Sequence, residues 1–234
     1  MMILWPLASV SRNMVGDDAY VKATDWIKDS NRPNSLAARA RDRRWDHFLS
    51  LFPDVADMRV LDLGGTPMAW RVMPARPQHV VCVNLDSSST AEEDWIELVA
   101  GDACNLPGSL KSERFDLVFS NSLIEHLGGI KQREIFASVV LDKAPRHWVQ
   151  TPYRYFPVEP HWVAPGLQFL PLAARALLAR SWNFGHMRST RTTAVDDCLW
   201  VELLSKTEMK ALFPQSTLWA ERFGGLTKSL VAHS

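Results

Sequence analysis

The chain has 234 residues, 47% of them hydrophobic, with 26 Lys+Arg against 26 Asp+Glu and a formal net charge of +0. That length holds one large α/β domain with a substantial core, and the lack of a global basic field argues against nucleic acid or an anionic membrane as partner. Three widely spaced cysteines, Cys82, Cys104 and Cys198, give neither a disulfide framework nor a zinc motif, the usage of a reducing, cytoplasmic compartment.

Met1–Val10 is apolar but short, with no basic region ahead of it, and reads as an ordered arm and not as a signal peptide. No uncharged apolar run is long enough for stable membrane insertion. Asp17 and Asp18 favour the positive end of a helix through Tyr20, Val21, Trp26 and Ile27, which Asn31-Arg32-Pro33-Asn34 breaks. Ser35 caps a second helix, where Trp45, Phe48, Leu49 and Phe52 recur at i, i+3, i+4, i+7 until Pro53 ends it. Arg39, Arg41, Arg43 and Arg44, interrupted by Asp42 and Asp46, read as the solvated face of that helix. Residues 1–52 are therefore a helical arm of a single domain over 1–234, with Trp5 and Trp26 packing on their own chain or on a second copy in a homodimer.

The register then changes. Arg59–Leu63 is a short apolar strand ended by Gly64-Gly65, and His79–Val83, Trp95–Val99, Phe115–Phe119 and His147–Gln150 are four more, with helical stretches such as Ile130–Val140 between some of them. Strands alternating with helices predict an α/β fold whose parallel sheet is covered on both faces. Ser205-Lys206-Thr207-Glu208 is a capping box opening a helix through Met209, Leu212 and Phe213. Ser216–Arg222 and Lys228–Ala232, joined across Gly224-Gly225, close the sheet as an antiparallel pair.

Residues 151–197 do not fit the alternation. They carry Pro152, Pro157, Pro160, Pro165 and Pro171, many aromatics and an apolar helix near Leu167–Leu178. An insertion beyond the C-terminal end of a strand lies where α/β enzymes bind ligands, and it is expected to be an acceptor-binding cap. The apolar run Pro165–Leu178, flanked by Arg175 and Arg180, reads as a core helix, with a greasy tunnel or a membrane-touching face as the alternative.

Four segments carry the chemistry. Val60-Leu61-Asp62-Leu63-Gly64-Gly65-Thr66 ends a strand in glycine, which lets a ligand approach the backbone closely. In Val81-Cys82-Val83-Asn84-Leu85-Asp86, Asn84 or Asp86 stands where a polar side chain takes ribose hydroxyls. Gly101-Asp102-Ala103 offers a carboxylate to an adenine amino group. The fourth segment is Phe115-Asp116-Leu117-Val118-Phe119-Ser120-Asn121-Ser122-Leu123-Ile124-Glu125-His126.

In this order and at these intervals the four segments resemble the class I S-adenosylmethionine-dependent methyltransferases, from about Arg59 to Gln150 and on through the tail. The resemblance implies a Rossmann-like doubly wound sheet of seven strands in the order 3-2-1-4-5-7-6, the last strand antiparallel, with an insertion after the fifth. It implies S-adenosylmethionine as cofactor, held by the Asp62-Leu63-Gly64-Gly65 and Asn84-Leu85-Asp86 segments. Gly64 and Gly65 are then under the methionine moiety, Asn84 at the ribose, Asp102 and Ala103 beside the adenine, and Ser120 and Asn121 near the sulfonium. The sequence departs from the pattern where the glycine triplet gives way to Thr66 and Met68, and where the usual acid is Asn84. Those departures leave a non-catalytic methyltransferase-like binding protein as one reading.

A hydroxyl acceptor benefits from a general base, for which His161 is the first candidate and His126 the second, with Glu159 placed to orient His161 or to bind a metal. Tyr153, Tyr155, Phe156 and Trp162 beside Arg154, Glu159 and His161 mix flat apolar faces with polar groups, which suits a sugar ring. The segment TPYRYFPVEPHW resembles a branch of small bacterial methyltransferases of glycan biosynthesis, the methylated-mannose polysaccharide O-methyltransferases of actinobacteria among them. The expected reaction is in-line O-methylation of a small-molecule or oligosaccharide acceptor, in polysaccharide biosynthesis. Mg²⁺ is a further candidate cofactor, with Glu125, His126 and Glu159 as the place for it. A lipid, quinone or phenolic acceptor is the alternative.

Overall fold

In the computed structural model the described residues are 36–85, 93–182, 185 and 187–234. The chain divides into two compact units, Met1–Arg43 and Arg44–Ser234. The expected helix after Asp17, the Ser35 cap, Trp5, Trp26 and Asp86 lie outside the described residues.

Helix α1 (Leu36–Leu51) leads into the sheet strands β1 (Arg59–Leu63), β2 (His79–Asn84), β3 (Ile96–Ala100), β4 (Leu117–Asn121) and β5 (Arg146–Pro152). Short helices α2 (Pro67–Arg71) and α3 (Gly108–Lys111) follow β1 and β3, and α4 (Ile130–Lys143) links β4 to β5. After β5 come a hairpin of β6 (Val158–Glu159) and β7 (Ala164–Pro165), then helices α5 (Leu172–Ala179), α6 (Ala194–Trp200) and α7 (Lys206–Leu212). Strands β8 (Thr217–Phe223) and β9 (Leu226–His233) end the chain.

The sheet order is β3-β2-β1-β4-β5-β9-β8. Without the separate β6–β7 hairpin in the count it is 3-2-1-4-5-7-6, as expected. β1 to β5 are parallel, and β9 runs antiparallel to both β5 and β8.

Side chains alternate across a strand, so β1 feeds two cores. Leu61 and Leu63 join Val81, Val83, Val118 and Val149 beneath Phe136 and Val140 of α4 and Met209 and Leu212 of α7. Val60 joins Val80, Cys82, Leu117, Phe119 and Trp148 beneath Trp45, Phe48 and Phe52. Both faces are covered, which is why these strands read as continuous apolar runs. Trp45 stacks on Phe119 at 5.6 Å, and Phe48 meets Trp148 edge-on at 5.4 Å.

Four local expectations need correcting. The fourth strand starts at Leu117 and not at Phe115, because the Asp116 carboxylate accepts from the Arg59 amide at 2.8 Å and the Phe115 amide donates to the Lys143 carbonyl. The run near Leu167–Leu178 is no single helix, since Pro171 separates a 3-10 turn (Leu167–Phe169) from α5. Nor is α5 a core helix: Ala176 and Ala179 are buried, while Leu177 and Leu178 are exposed. Arg44 also leaves the expected solvated face, reaching Asn121 Oδ1 at 3.4 Å and Glu221 at 3.8 Å. The capping box forms as read: the Ser205 hydroxyl accepts from the Glu208 amide and the Glu208 carboxylate accepts from the Ser205 amide.

Buried His147 makes the fold acid-sensitive. Its Nε2 lies 2.7 Å from Ser216 Oγ and its Nδ1 3.0 Å from Ser234 Oγ. Burial, with a smaller effect from His233, lowers its pKa from 6.5 to about 4. Between those values the unfolded chain takes up a proton that the folded chain refuses, so stability falls as pH drops through this window. This one group is expected to remove about 2 kcal/mol between pH 7 and pH 5. Thermal melts at the two pH values check it: His147→Gln should lose less stability on acidification than the parent, and an equal loss would refute the assignment.

Candidate active site

The C-terminal ends of the five parallel strands lie along one edge. β1 is followed by Gly64, whose φ is +82°, a conformation that favours glycine. A Cβ on Gly64 would meet Leu123 at 2.9 Å, and one on Gly65 would lie 1.7 Å from Asp62 Oδ2. Gly64 is thus favoured by its backbone conformation and Gly65 by the packing of Asp62. Asp62 is buried, and its Oδ2 accepts from Trp70 Nε1 at 2.7 Å. Burial raises its carboxyl to about 7, against the lowering effect of the Trp70 bond. It supports the turn from below.

Asn84, at the end of β2, donates Nδ2 to the carbonyls of Gly64 and Gly65 at 3.2 Å each. An aspartate has no donor for that contact, which explains an amide at this position. Beside it Leu85 is 79% exposed. Asn84 pairs with Ala100 of β3, and the Gly101 amide donates to the Asn84 carbonyl. Leu85 and Asp102 therefore follow the ends of two neighbouring strands. Asp102 is exposed, and its Oδ1 accepts from the Cys104 amide at 2.8 Å. Ala103 is buried. An exposed apolar side chain past β2 and an exposed carboxylate past β3 are groups of the kind that suit an adenine ring and its exocyclic amine.

Ser120 is fully buried, and its hydroxyl donates to the Leu63 carbonyl at 2.9 Å. It ties β4 to β1 beneath the edge and not at a ligand. Asn121 is exposed at the end of β4. Ser122, at φ 57°, donates to buried Gln150 Oε1 at 2.9 Å.

The turn Ile124–His126 after β4 and the turn between β6 and β7 bring the two candidate bases together. His161 Nδ1 lies 2.7 Å from Glu159 Oε1, and His161 Nε2 lies 3.2 Å from His126 Nε2. Glu159 is buried, and its Oε2 accepts from the Trp162 amide at 2.8 Å. Val163, at φ 51°, helps fold the β6–β7 turn back on itself. Burial, with a smaller effect from neighbouring His161, lowers His126 to about 4, and its ring packs on Trp200 at 4.2 Å. Glu125 is fully buried and raised to about 7 by burial, with Oε2 accepting from Thr151 Oγ1 at 2.9 Å.

Beside Glu159 is a cavity of about 370 Å³ lined by Arg133, Arg154, Trp162, Arg175, Glu202 and Glu208, among others. Arg154 pairs with Glu208 and buried Arg133 with Glu202, each at 2.8 Å. Trp162 belongs to the small core of the insertion with Leu167, Ala179, Cys198, Val201 and Leu203, its Nε1 donating to Ser189. It is a packing residue more than a stacking platform. Tyr153 meets Tyr155 edge-on at 5.5 Å, and exposed Tyr155 stacks on Phe169 at 6.3 Å. Sequence reading missed Arg133, although a signal was there: it shares its helix face with buried Phe136, Ala137 and Val140.

No family model matches the sequence, and no curated protein matches it. Solved structures do. The N-methyltransferase NodS of Bradyrhizobium japonicum WM9 aligns at 11% identity over 83% of this chain and 95% of its own, with a TM-score of 0.51. The magnesium protoporphyrin IX methyltransferase of Synechocystis PCC 6803, solved with bound SAH, aligns at 10% identity over 94% and 89%, also at 0.51. A candidate Zn-dependent alcohol dehydrogenase of Rhodobacter sphaeroides aligns at 14% over 88% and 91%, at 0.58. This chain has the class I methyltransferase fold. Among the described residues no helix is long and apolar enough to cross a membrane.

Proposed function

We propose that the chain is an S-adenosylmethionine-dependent methyltransferase whose acceptor is a hydroxyl on a sugar or similar polyol. The observation that carries the reading is the strand edge, where Asn84 holds the Gly64-Gly65 turn after β1 and where Leu85 and Asp102 follow the ends of the neighbouring strands β2 and β3. Structural neighbours that methylate, one of them solved with bound SAH, support the cofactor. S-adenosylmethionine, when bound, supplies a methyl group made electrophilic by a sulfonium.

The chain's own residues then have separable tasks. Leu85 and Asp102 hold the nucleoside end. Asn84 keeps the glycine turn closed. Glu159 accepts a hydrogen bond from the Nδ1–H of His161, so that Nε2 is left with a lone pair able to take a hydroxyl proton. Positioning of the two reactants supplies most of the rate. The cavity beside Glu159 is of small-ligand size. Its guanidinium and carboxylate lining suits an acceptor with many hydroxyls better than a greasy one.

One observation favours the second reading, an apolar acceptor: Phe169, Leu170, Leu177 and Leu178 stand exposed on the insertion. Hydride transfer has less support, since the first strand is not followed by Gly-x-Gly-x-x-Gly.

Calorimetric titration of the full chain with S-adenosylmethionine and S-adenosylhomocysteine tests the proposal. Both are expected to bind, and Asp102→Ala to bind about tenfold more weakly through loss of a charged acceptor. Methyl uptake is then assayed with saccharides against phenols, quinones and lipids. No binding of either nucleoside by folded protein would sink the proposal in favour of a non-catalytic binding protein.

A further inference from the structure

Three side chains that could ligate a metal ion converge after β4 and inside the β6–β7 turn. One donor atom each of Glu125, His126 and His161 lies within 4.8 Å of the other two. The two histidines face one another through Nε2 at 3.2 Å. Two nitrogens each about 2.1 Å from one ion stand roughly 3.0–3.4 Å apart in octahedral or tetrahedral geometry, so the observed separation already suits a shared ion.

The surroundings fit the same role. Glu159 Oε1 lies 2.7 Å from His161 Nδ1. A carboxylate only accepts, so the proton of the neutral ring is on Nδ1 and the lone pair is on Nε2, toward His126. That carboxylate–histidine arrangement is how metal-ligating imidazoles are oriented. Glu125 is 0% exposed; Thr151 satisfies its Oε2, but Oε1 has no hydrogen-bond partner. A buried carboxylate oxygen with nothing to accept is unfavourable, and coordination to a cation would remove the deficit.

We propose that Glu125, His126 and His161 form a three-ligand site for a divalent transition-metal ion, with Glu159 and Thr151 as the groups that orient the ligands. The donor set does not fit the Mg²⁺ expected from the sequence, because Mg²⁺ takes oxygen ligands. Two imidazoles and a carboxylate suit Zn²⁺ or a neighbouring first-row ion. Three protein ligands leave a coordination position open, and an acceptor oxygen can take it. Only that last role rests on the methyl-transfer reading. With an ion bound, His161 Nε2 is a ligand and the ion, not the imidazole, acidifies the hydroxyl.

The test is calorimetric titration of chelator-stripped full-length protein with Zn²⁺, with Mg²⁺ as comparison, and a visible absorption spectrum with Co²⁺. Zn²⁺ is expected to bind at one equivalent and Mg²⁺ much more weakly. Glu125→Gln, His126→Asn and His161→Ala should each weaken Zn²⁺ binding at least about tenfold and alter the Co²⁺ spectrum, and Glu159→Gln should weaken it roughly 10- to 100-fold. Circular dichroism identifies any variant that fails to fold, and the remaining variants still decide. Absent Zn²⁺ binding, or binding kept by every folded variant, overturns the site even where S-adenosylhomocysteine binds. Zn²⁺ binding lost in the variants upholds it even where S-adenosylhomocysteine does not.

Discussion

Replacing His161 by alanine is expected to lower methyl transfer about 10²- to 10⁴-fold while leaving S-adenosylhomocysteine affinity unchanged. The separation follows from the layout. His161 lies in the β6–β7 turn and faces His126 across 3.2 Å, whereas Leu85 and Asp102 stand at the ends of β2 and β3. Glu159→Gln should fall between the parent and His161→Ala. It keeps the shape of the side chain but leaves Nδ1 without a charged acceptor, so the ring no longer has one favoured tautomer. Single-turnover rates and titrations on the same preparations separate chemistry from binding. A His161→Ala protein that methylates at the parental rate would remove this histidine from the chemistry, while its place as a ligand is decided by the Zn²⁺ titration. Equal losses of rate and of nucleoside affinity would instead make it a scaffold residue.

Gly65→Ala is expected to destabilise the fold by about 2–5 kcal/mol, the sum of overpacking and of a buried donor left unmet. The new Cβ would lie 1.7 Å from Asp62 Oδ2, which cannot stay where it is. If the carboxylate turns away, Trp70 Nε1 loses its 2.7 Å acceptor inside the core. If the backbone shifts, it carries the turn that Asn84 holds through the Gly64 and Gly65 carbonyls. At about 2–4 °C per kcal/mol for a domain of this size, the melting temperature should drop by roughly 5–15 °C. The double variant Asp62→Ala/Gly65→Ala supplies the control. With the carboxylate gone the clash is gone, so the two losses should add to much less than their sum. Full additivity, or a Gly65→Ala protein that melts with the parent, would show that Asp62 does not fill the space under the turn.

The distribution of these effects separates what the linear chain dictates from what folding decides. The strand His79–Asn84 was legible because a parallel strand buried on both faces reads as an unbroken β-branched run. The capping box at Ser205 was legible because both hydrogen bonds close within one helical turn. The glycine turn, Asn84 and Asp102 could be placed at strand ends for the same reason: each is defined by where a local element stops. His161 beside Glu159 was in reach as a pair two residues apart, but only the β6–β7 turn directs both side chains at one another.

The rest depends on contacts between residues far apart in the chain. Ser120 looked like a ligand-facing residue, yet the β4–β1 pairing directs its hydroxyl to the Leu63 carbonyl, 57 residues away. Trp162 reads as a stacking platform in a run of aromatics, but Leu167, Ala179 and Cys198 close over it. Arg133 meets Glu202 across 69 residues, and His126 meets His161 across 35. Periodicity, caps and turns are set by neighbours along the backbone, so this sequence by itself determined the α/β order and the strand ends. Which side chains share a buried site is set by sheet order and by the path of the insertion, and only the tertiary structure decided that Glu125, His126 and His161 form one cluster.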